Sequence, residues 1–464
     1  MLLSMGDDDF PLHEAAHIVH GNALRMDWNE VVPANQCSFI LGNPPFYGAR
    51  MQSKQQKAEI QDVFHGSKNS GNIDYVAGWY IKAAEYMGNY PIRAAFVSTN
   101  SICQGEQVAN VWKPIYDLGV RIDFAHDTFR WRNEATEQAH VYVVIVGFSK
   151  LRGKKTLFHH ANPDAPEEVS NPANINAYLA AAPDVFVWNR SKPLYDVPSI
   201  GIGNKPIDGG NYLFKDDEKK AFLAVEPKAA AYFHKWLGSN EFLNNCPRYV
   251  LWLGDKSEEE LADLPLCRER VENVRQLRLA SKSAPTRKIA DTPTRFHVEN
   301  MPEGTSILIP KVSSERRRYI PLGFIGPETL CSDLVFLIAD ASVYQFGVLH
   351  SQFHNAWMRT VCGRLESRYR YSGGVVYNNF VWPNPTSKQR EAIEACAQAI
   401  LDTRDNYPDK SLANLYDPDK MPADLLAAHR ALDAAVEAAY GVNFDGDEEK
   451  IVAYLFKLYA QATA

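Results

Sequence analysis

Apolar positions along this chain recur with two periods, one of about two residues and one of three to four, and the switches between them predict an ordered series of elements. His17 to His20 reads as a short strand running into a turn at Gly21-Asn22-Ala23-Leu24. Ser38 to Leu41 is a second strand, ending at Gly42. Tyr75, Trp79, Ala83 and Tyr86 recur at helical spacing and predict a helix over Asp74 to Met87. Ala94 to Ser98 follows as a strand, Gln107 to Leu118 as a helix and Val120 to Phe124 as a strand. Phe129 to Glu134 reads as a polar and aromatic turn before a long β-branched strand, Ala139 to Phe148. Strands alternating with helices predict an α/β domain with a mainly parallel sheet, in which ligands bind at the carboxyl ends of the strands.

From about Pro193 the texture changes. Glycine and proline cluster at Pro206-Ile207-Asp208-Gly209-Gly210, and short segments of mixed character continue to Trp382-Pro383. Beyond Ser387 the chain is Ala-rich and helical in period. Thr386 and Gln389 are spaced as a capping box, and a later helix over Leu425 to Tyr440 is closed by Gly441. The reading divides the chain into an α/β domain at 1–190, a mixed α+β domain at 191–385 and a helical domain at 386–464.

Composition narrows the class. The 464 residues are 45% hydrophobic and 23% charged, as in ordinary globular proteins. No apolar run reaches the length of a membrane span, and Asp7, Asp8 and Asp9 are wrong for a secretory signal. Seven cysteines without a C-x-x-C pair argue against a cysteine zinc site or a disulfide framework, and no metal site is expected; the pattern fits the reducing cytoplasm. Net charge is −7, but the charge is uneven: Arg268 to Arg318 carries twelve basic and six acidic residues, and Arg359 to Arg370 four and one. The segment from Thr386 onward carries eight basic and fourteen acidic residues. A basic middle beside an acidic end fits a local phosphate-binding surface.

The sharpest chemical signal is Asn43-Pro44-Pro45-Phe46, directly after the second strand. The Asn43 carboxamide oxygen can accept a hydrogen bond from an exocyclic amine. Pro44 and Pro45 stiffen the backbone and leave bare carbonyls, and Phe46 offers a face for a flat ring. Such a group grips a planar amine without a formal charge, as methyl transfer from a sulfonium donor requires.

The run resembles motif IV of amino-methyltransferases, whose Asn form is usual among N6-adenine DNA methyltransferases and also occurs in enzymes acting on a protein glutamine. Gly21-Asn22-Ala23-Leu24 with Asp27-Trp28, Gly42 to Phe46, and Tyr371-Ser372 through Val376-Tyr377-Asn378-Asn379-Phe380 to Trp382-Pro383 are similar to the MmeI-like class of DNA methyltransferases, over nearly the whole chain. The resemblance implies part of a class I, Rossmann-like methyltransferase sheet, then a target-recognition domain and a C-terminal helical domain. It implies S-adenosyl-L-methionine as cofactor, with Asn22 or Asp27 against its adenine. It also implies a flipped base held between Phe46 and Phe129, with Trp131 as the alternative to Phe129.

Three clusters interleave basic, hydroxyl and aromatic residues: Lys282 with Arg287; Lys311, Ser313, Glu315, Arg316 and Arg318; and Arg364, Arg368, Arg370 and Tyr371. Duplex DNA is their expected partner, through phosphate neutralisation and base-edge contacts. The family's Gly-rich loop for the methionine end of the cofactor belongs upstream of Asn22, and the residues before Asn22 contain none. Three readings follow as expectations: a truncated product, one half of a split enzyme whose upstream polypeptide supplies the loop, or a mis-called start. The alternatives are a DNA-recognition subunit inactive alone and a protein-glutamine methyltransferase; the latter has no use for the basic middle region.

Overall fold

A computed structural model describes residues 17–131, 141–160 and 162–464. The chain divides into two compact units. One comprises the residues up to Leu179 except Gln104–Glu106, and the other comprises those three with Ala180–Ala464.

The first unit contains β1 (Phe39–Gly42), α1 (Lys54–Val63), α2 (Ala77–Tyr86), β2 (Arg93–Thr99), α3 (Gly105–Asp117), β3 (Arg121–Trp131), β4 (Val141–Ser149), β5 (Thr156–His160) and β6 (Glu167–Ser170). The six strands form one sheet in the order β1-β2-β4-β3-β5-β6. β1 runs parallel to β2 and β3 parallel to β5, but β4 is antiparallel to both neighbours and β6 to β5. The sheet is thus mixed, where a mainly parallel one was expected. Nine residues separate Trp131 from Val141, fewer than the dozen or so a parallel crossover takes.

Alternation in β2 turns Ala94, Phe96 and Ser98 inward. Tyr80 of α2 stacks on Phe148 of β4 at 5.3 Å, and meets Phe96 and Trp112 of α3 edge-on at 5.1 and 5.4 Å. Its hydroxyl reaches Ser98 Oγ at 2.9 Å and Trp112 Nε1 donates to Ile102 O at 3.0 Å, so the polar atoms of these two rings are satisfied.

Two local expectations are corrected. His17 to His20 forms no strand; Ile18 and Val19 are exposed, with no sheet neighbour among the described residues to bury them. Phe129 to Trp131 is not a turn but the end of β3, carried there by a register shift between His126 and Phe129 that adds residues to one strand. At the far side of the sheet, the outer edge of β1 has no partner strand among the described residues. Phe39 and Leu41 are 68% and 77% exposed there.

The second unit holds three small sheets. β8 (Leu213–Phe214), β9 (Phe233–Leu237), β10 (Arg248–Leu251) and β14 (Thr329–Cys331) form one, in the order β14-β9-β10-β8. β7 (Ile200–Ile202), β11 (Ser306–Pro310), β13 (Gly323–Ile325) and β15 (Val335–Ala339) form the second, in the order β13-β11-β15-β7. β12 (Val312–Ser313), β16 (Gly363–Leu365) and β17 (Arg368–Arg370) form the third, with β17 central. Around them lie α4 (Asp216–Val225), α5 (Ser239–Asn244), α6 (Pro265–Leu279), α7 (Ala284–Lys288), α8 (Val343–His350) and α9 (Gln352–Val361). α10 (Ser387–Asp405), α11 (Leu412–Leu415), α12 (Ala423–Ala439) and α13 (Glu448–Ala462) follow. The Thr386–Gln389 capping box opens α10 as its spacing predicts. α8 admits α10 because position 347 is glycine: a Cβ there would lie 2.9 Å from Ile393 and 3.0 Å from Ala397.

Arg278 is fully buried and donates to five carbonyls, those of Pro206, Ile207, Ile289, Thr292 and Arg295, at 2.8–3.1 Å. It clips the glycine-rich turn to the end of α6 and to the loop after α7. Arg278→Met should destabilise the chain by about 3 kcal/mol or more, because several buried carbonyls lose their donor at roughly 1–3 kcal/mol each. Arg278→Lys should recover little, lacking the guanidinium fork; urea unfolding followed by tryptophan fluorescence reads both.

Burial also holds the imidazoles of His350, His354 and His429 below their ordinary range, His354 at about 3, and raises the Asp433 carboxyl to about 6. The unfolded histidines take up protons near pH 6.5 while the folded ones do not, so stability is lost as pH falls below that value. Asp433 acts in the opposite sense between its unfolded value near 4 and about 6. His354 alone contributes roughly 2 kcal/mol of destabilisation between pH 7 and 5. The urea midpoint should fall over that range, and fall less in His354→Gln.

Candidate methyl-transfer site and basic surface

The Asn-Pro-Pro-Phe loop leaves the carboxyl end of β1. Gly42 ends the strand against the Phe96 ring, where a Cβ would sit 3.2 Å from two ring carbons. Asn43 is exposed, and no group among the described residues hydrogen-bonds its carboxamide. Pro44 is buried, Pro45 exposed and Phe46 half-buried, so one proline anchors the loop beside the exposed Asn43.

Asp74, just ahead of α2, holds the far side of this loop. Its Oδ1 accepts from Ala49 N at 2.8 Å and from Gln107 Nε2 at 3.4 Å, and its Oδ2 accepts from Ser101 Oγ at 2.5 Å. Tyr75 N donates to Tyr47 O at 2.9 Å, and Gln52 Nε2 donates to Ile73 O at 2.8 Å. Sequence reading took Asp74 as a helix start; its partners are 25 to 33 positions away, beyond the reach of a local pattern.

Asn22 sits in a turn. Its Oδ1 accepts from Leu24 N at 2.9 Å, and its Nδ2 donates to Glu59 Oε1 at 3.0 Å. Glu59 is itself buried, with Arg25 at 2.7 Å, Gln55 at 3.2 Å and the Tyr75 hydroxyl around it. Asp27 is exposed and caps the turn Trp28–Glu30 by accepting from Asn29 N at 2.9 Å. That bond holds its carboxyl below the ordinary range.

Phe129 is half-buried on β3, opposite Val143, with one face stacked on His160 at 5.4 Å. Trp131, two residues on, is 40% exposed and 6.3 Å from Phe129. Asn100 Nδ2 donates to Thr128 Oγ1 at 3.3 Å, tying the end of β2 to β3.

In the second unit, two of the three basic clusters meet. Ser313 pairs with Tyr369, and Arg370 with Val312 on one side and Gly363 on the other. Alternation in β17 turns Tyr369 inward and Arg368 and Arg370 outward, on one exposed face. Arg364 lies over the Tyr369 ring at 3.9 Å and donates to Ser367 O and Arg359 O. Arg368 also pairs with Glu366 at 2.8 Å. Lys311 lies over Phe336 at 5.1 Å, and its burial lowers its pKa. Arg316 pairs with Asp419, Arg318 donates to Gln352 at 3.4 Å, and Glu315 is half-buried. Lys282 and Arg287 are exposed at the corner between α6 and α7.

Ser313 and Tyr371 are only 2% and 3% exposed. The Tyr371 hydroxyl is hydrogen-bonded to His354 Nε2 at 3.0 Å. The motif after Tyr371 is likewise internal: Asn378 Nδ2 and Asn379 Nδ2 donate to Arg190 O and Trp188 O at 2.7 and 2.9 Å.

Asn-Pro-Pro-Phe thus lies at the carboxyl end of β1 in a mixed sheet. Family models fit the chain end to end. The MmeI DNA-methyltransferase domain matches residues 3–159, the MmeI target recognition domain 181–384 and the MmeI C-terminal domain 385–464. DNA methyltransferase A of Bacillus subtilis (strain 168) is 39% identical over 458 residues, 98% of this chain and 51% of the relative. The structure of the Type IIL restriction-modification enzyme MmeI in complex with DNA matches 98% of this chain and 61% of that one, at 45% identity and a TM-score of 0.91. The chain belongs to the MmeI family. It spans about half the length of the curated relative.

Asp74→Ala should unpin the loop without unfolding the sheet. Amide hydrogen exchange should accelerate at Ala49 and Met51, with β2 and β4 unchanged, and global stability should fall by about 1–3 kcal/mol.

Proposed function

We propose that this chain carries the amine-gripping part and the DNA-recognition part of a site-specific N6-adenine DNA methyltransferase of a restriction-modification or phage-defence system. The observation that carries this reading is the exposed, unpartnered Asn43 carboxamide on a loop whose backbone is held at both ends. Asn43 Oδ1 and the Pro44 carbonyl accept the two hydrogens of the target amine. This draws the nitrogen lone pair out of conjugation with the ring and aims it for attack. Phe46 and Phe129 hold the extruded base by stacking, with Trp131 at the rim. No strong base is required, since the proton leaves to solvent after the N–C bond has formed.

S-adenosyl-L-methionine would supply the electrophilic methyl group. The described residues fit it in part. Asp27 accepts from Asn29 at Oδ1 only, which leaves Oδ2 for an adenine amine or a ribose hydroxyl, whereas Asn22 is engaged at both polar atoms, by Leu24 N within the turn and by Glu59 of α1. The outer edge of β1, with Phe39 and Leu41 exposed and no partner strand among the described residues, can accept a further strand.

Duplex DNA is the proposed substrate. Arg368 and Arg370 face outward on β17, and Lys282 and Arg287 add positive charge from the α6–α7 corner. Among the described residues no helix is long and apolar enough to cross a membrane, and all seven cysteines are free, which suits a reducing cytoplasm.

Supplied with S-adenosyl-L-methionine, the protein should form N6-methyladenine in mixed-sequence duplex DNA, read by mass spectrometry of nucleosides. Asn43→Ala should abolish this and leave DNA affinity within about a few fold; wild-type turnover by that variant would sink the assignment. The double variant Arg368→Ala, Arg370→Ala should weaken duplex binding and reduce the slope of log K against log salt by about 2.

A further inference from the structure

Three strands of the first unit bring together side chains that the methyl-transfer reading does not use. His126 on β3, His160 on β5 and Glu167 on β6 each offer a ligand atom, and these atoms all lie within 4.8 Å of one another. Strand register explains the convergence. His126 is paired with Phe158, so His160, two residues on, projects from the same face, and Glu167 stands opposite His160. These residues are 126, 160 and 167 in sequence, a spacing that matches no local metal motif.

The two rings are held firmly. His126 stacks on Phe158 at 4.0 Å with planes 2° apart, and its Nδ1 is 3.4 Å from Glu167 Oε2. His160 stacks on Phe129, and its Nδ1 faces Ala165 O at 3.1 Å. A carbonyl only accepts, so the proton sits on Nδ1 and Nε2 presents a lone pair. That Nε2 is buried, and no hydrogen-bond donor reaches it among the described residues. A backbone carbonyl fixing one ring nitrogen while the other stays bare is the arrangement metal-binding histidines use.

We propose that His126, His160 and Glu167 bind a first-row divalent cation, with zinc the best match to two imidazoles and one carboxylate. Zn–N bonds of about 2.0–2.1 Å place ligand atoms roughly 3.3 Å apart. Glu167, whose side chain is 48% exposed, is the ligand free to swing in. Three protein ligands leave a fourth position for water. The ion would tie β3, β5 and β6 together beneath Phe129, whatever ring Phe129 stacks in turn.

The test uses the chain without a polyhistidine tag, stripped with a chelator. Calorimetric titration with Zn²⁺ should show one equivalent that millimolar Mg²⁺ does not displace. Co²⁺ should give visible absorption bands that Zn²⁺ bleaches. His160→Ala should abolish the cobalt bands, and Glu167→Gln should weaken zinc at least tenfold. Glu167→Gln lies on an exposed strand and should leave the metal-free thermal midpoint unchanged, so its effect reports on ligation rather than folding. Equal zinc affinity in wild type, His160→Ala and Glu167→Gln, or no binding to wild type, would overturn the proposal.

Discussion

Asp74 accepts hydrogen bonds from the backbone after the Asn-Pro-Pro-Phe loop, from the hydroxyl that follows β2 and from a side chain on α3. One carboxylate thereby sets the distance between three segments that the sheet alone would leave free to drift. The carboxyl end of a strand provides a place for a ligand, but it does not fix the loop that must grip it. With Pro44 and Pro45 restricting the near side and Asp74 holding the far side, Asn43 can remain unpartnered without its backbone wandering.

The second unit solves a related problem with the opposite charge. Its glycine-rich turn and short irregular segments bury carbonyls that regular ladders leave with spare acceptor capacity. Arg278 meets five of them from one buried guanidinium. Asn378 and Asn379 do the same for the segment around Trp188 and Arg190. A domain with little regular structure is thus given a single shape by a few buried donors, and the strand carrying Arg368 and Arg370 is set on that frame.

Much of this was legible in the sequence because it was local. The helix expected over Asp74 to Met87 and found at Ala77–Tyr86, the strands around Phe96 and Val146, the capping box at Thr386 and the placing of the Asn43 loop directly after a strand all follow from neighbours within a few positions. What sequence reading missed depends on partners far away. The antiparallel placing of β4 is a topological fact that its β-branched pattern cannot express. Asp74 reaches backbone 25 positions away and Arg278 carbonyls up to 72 positions away. Tyr371 was read as a surface aromatic because basic residues flank it, yet alternation in and after β17 turns it to the interior. Charge and aromatic content mark a segment as interesting; only the pairing of strands says which side chains face solvent.

The bare edge of β1 has a consequence for how the protein can be made and handled. A short strand with unpaired backbone groups and two exposed apolar side chains pairs with whichever strand reaches it first, including that of another copy. A strand that covers this edge as it forms protects it, whereas the same hydrogen-bonding row left open becomes a seed for aggregation as concentration rises.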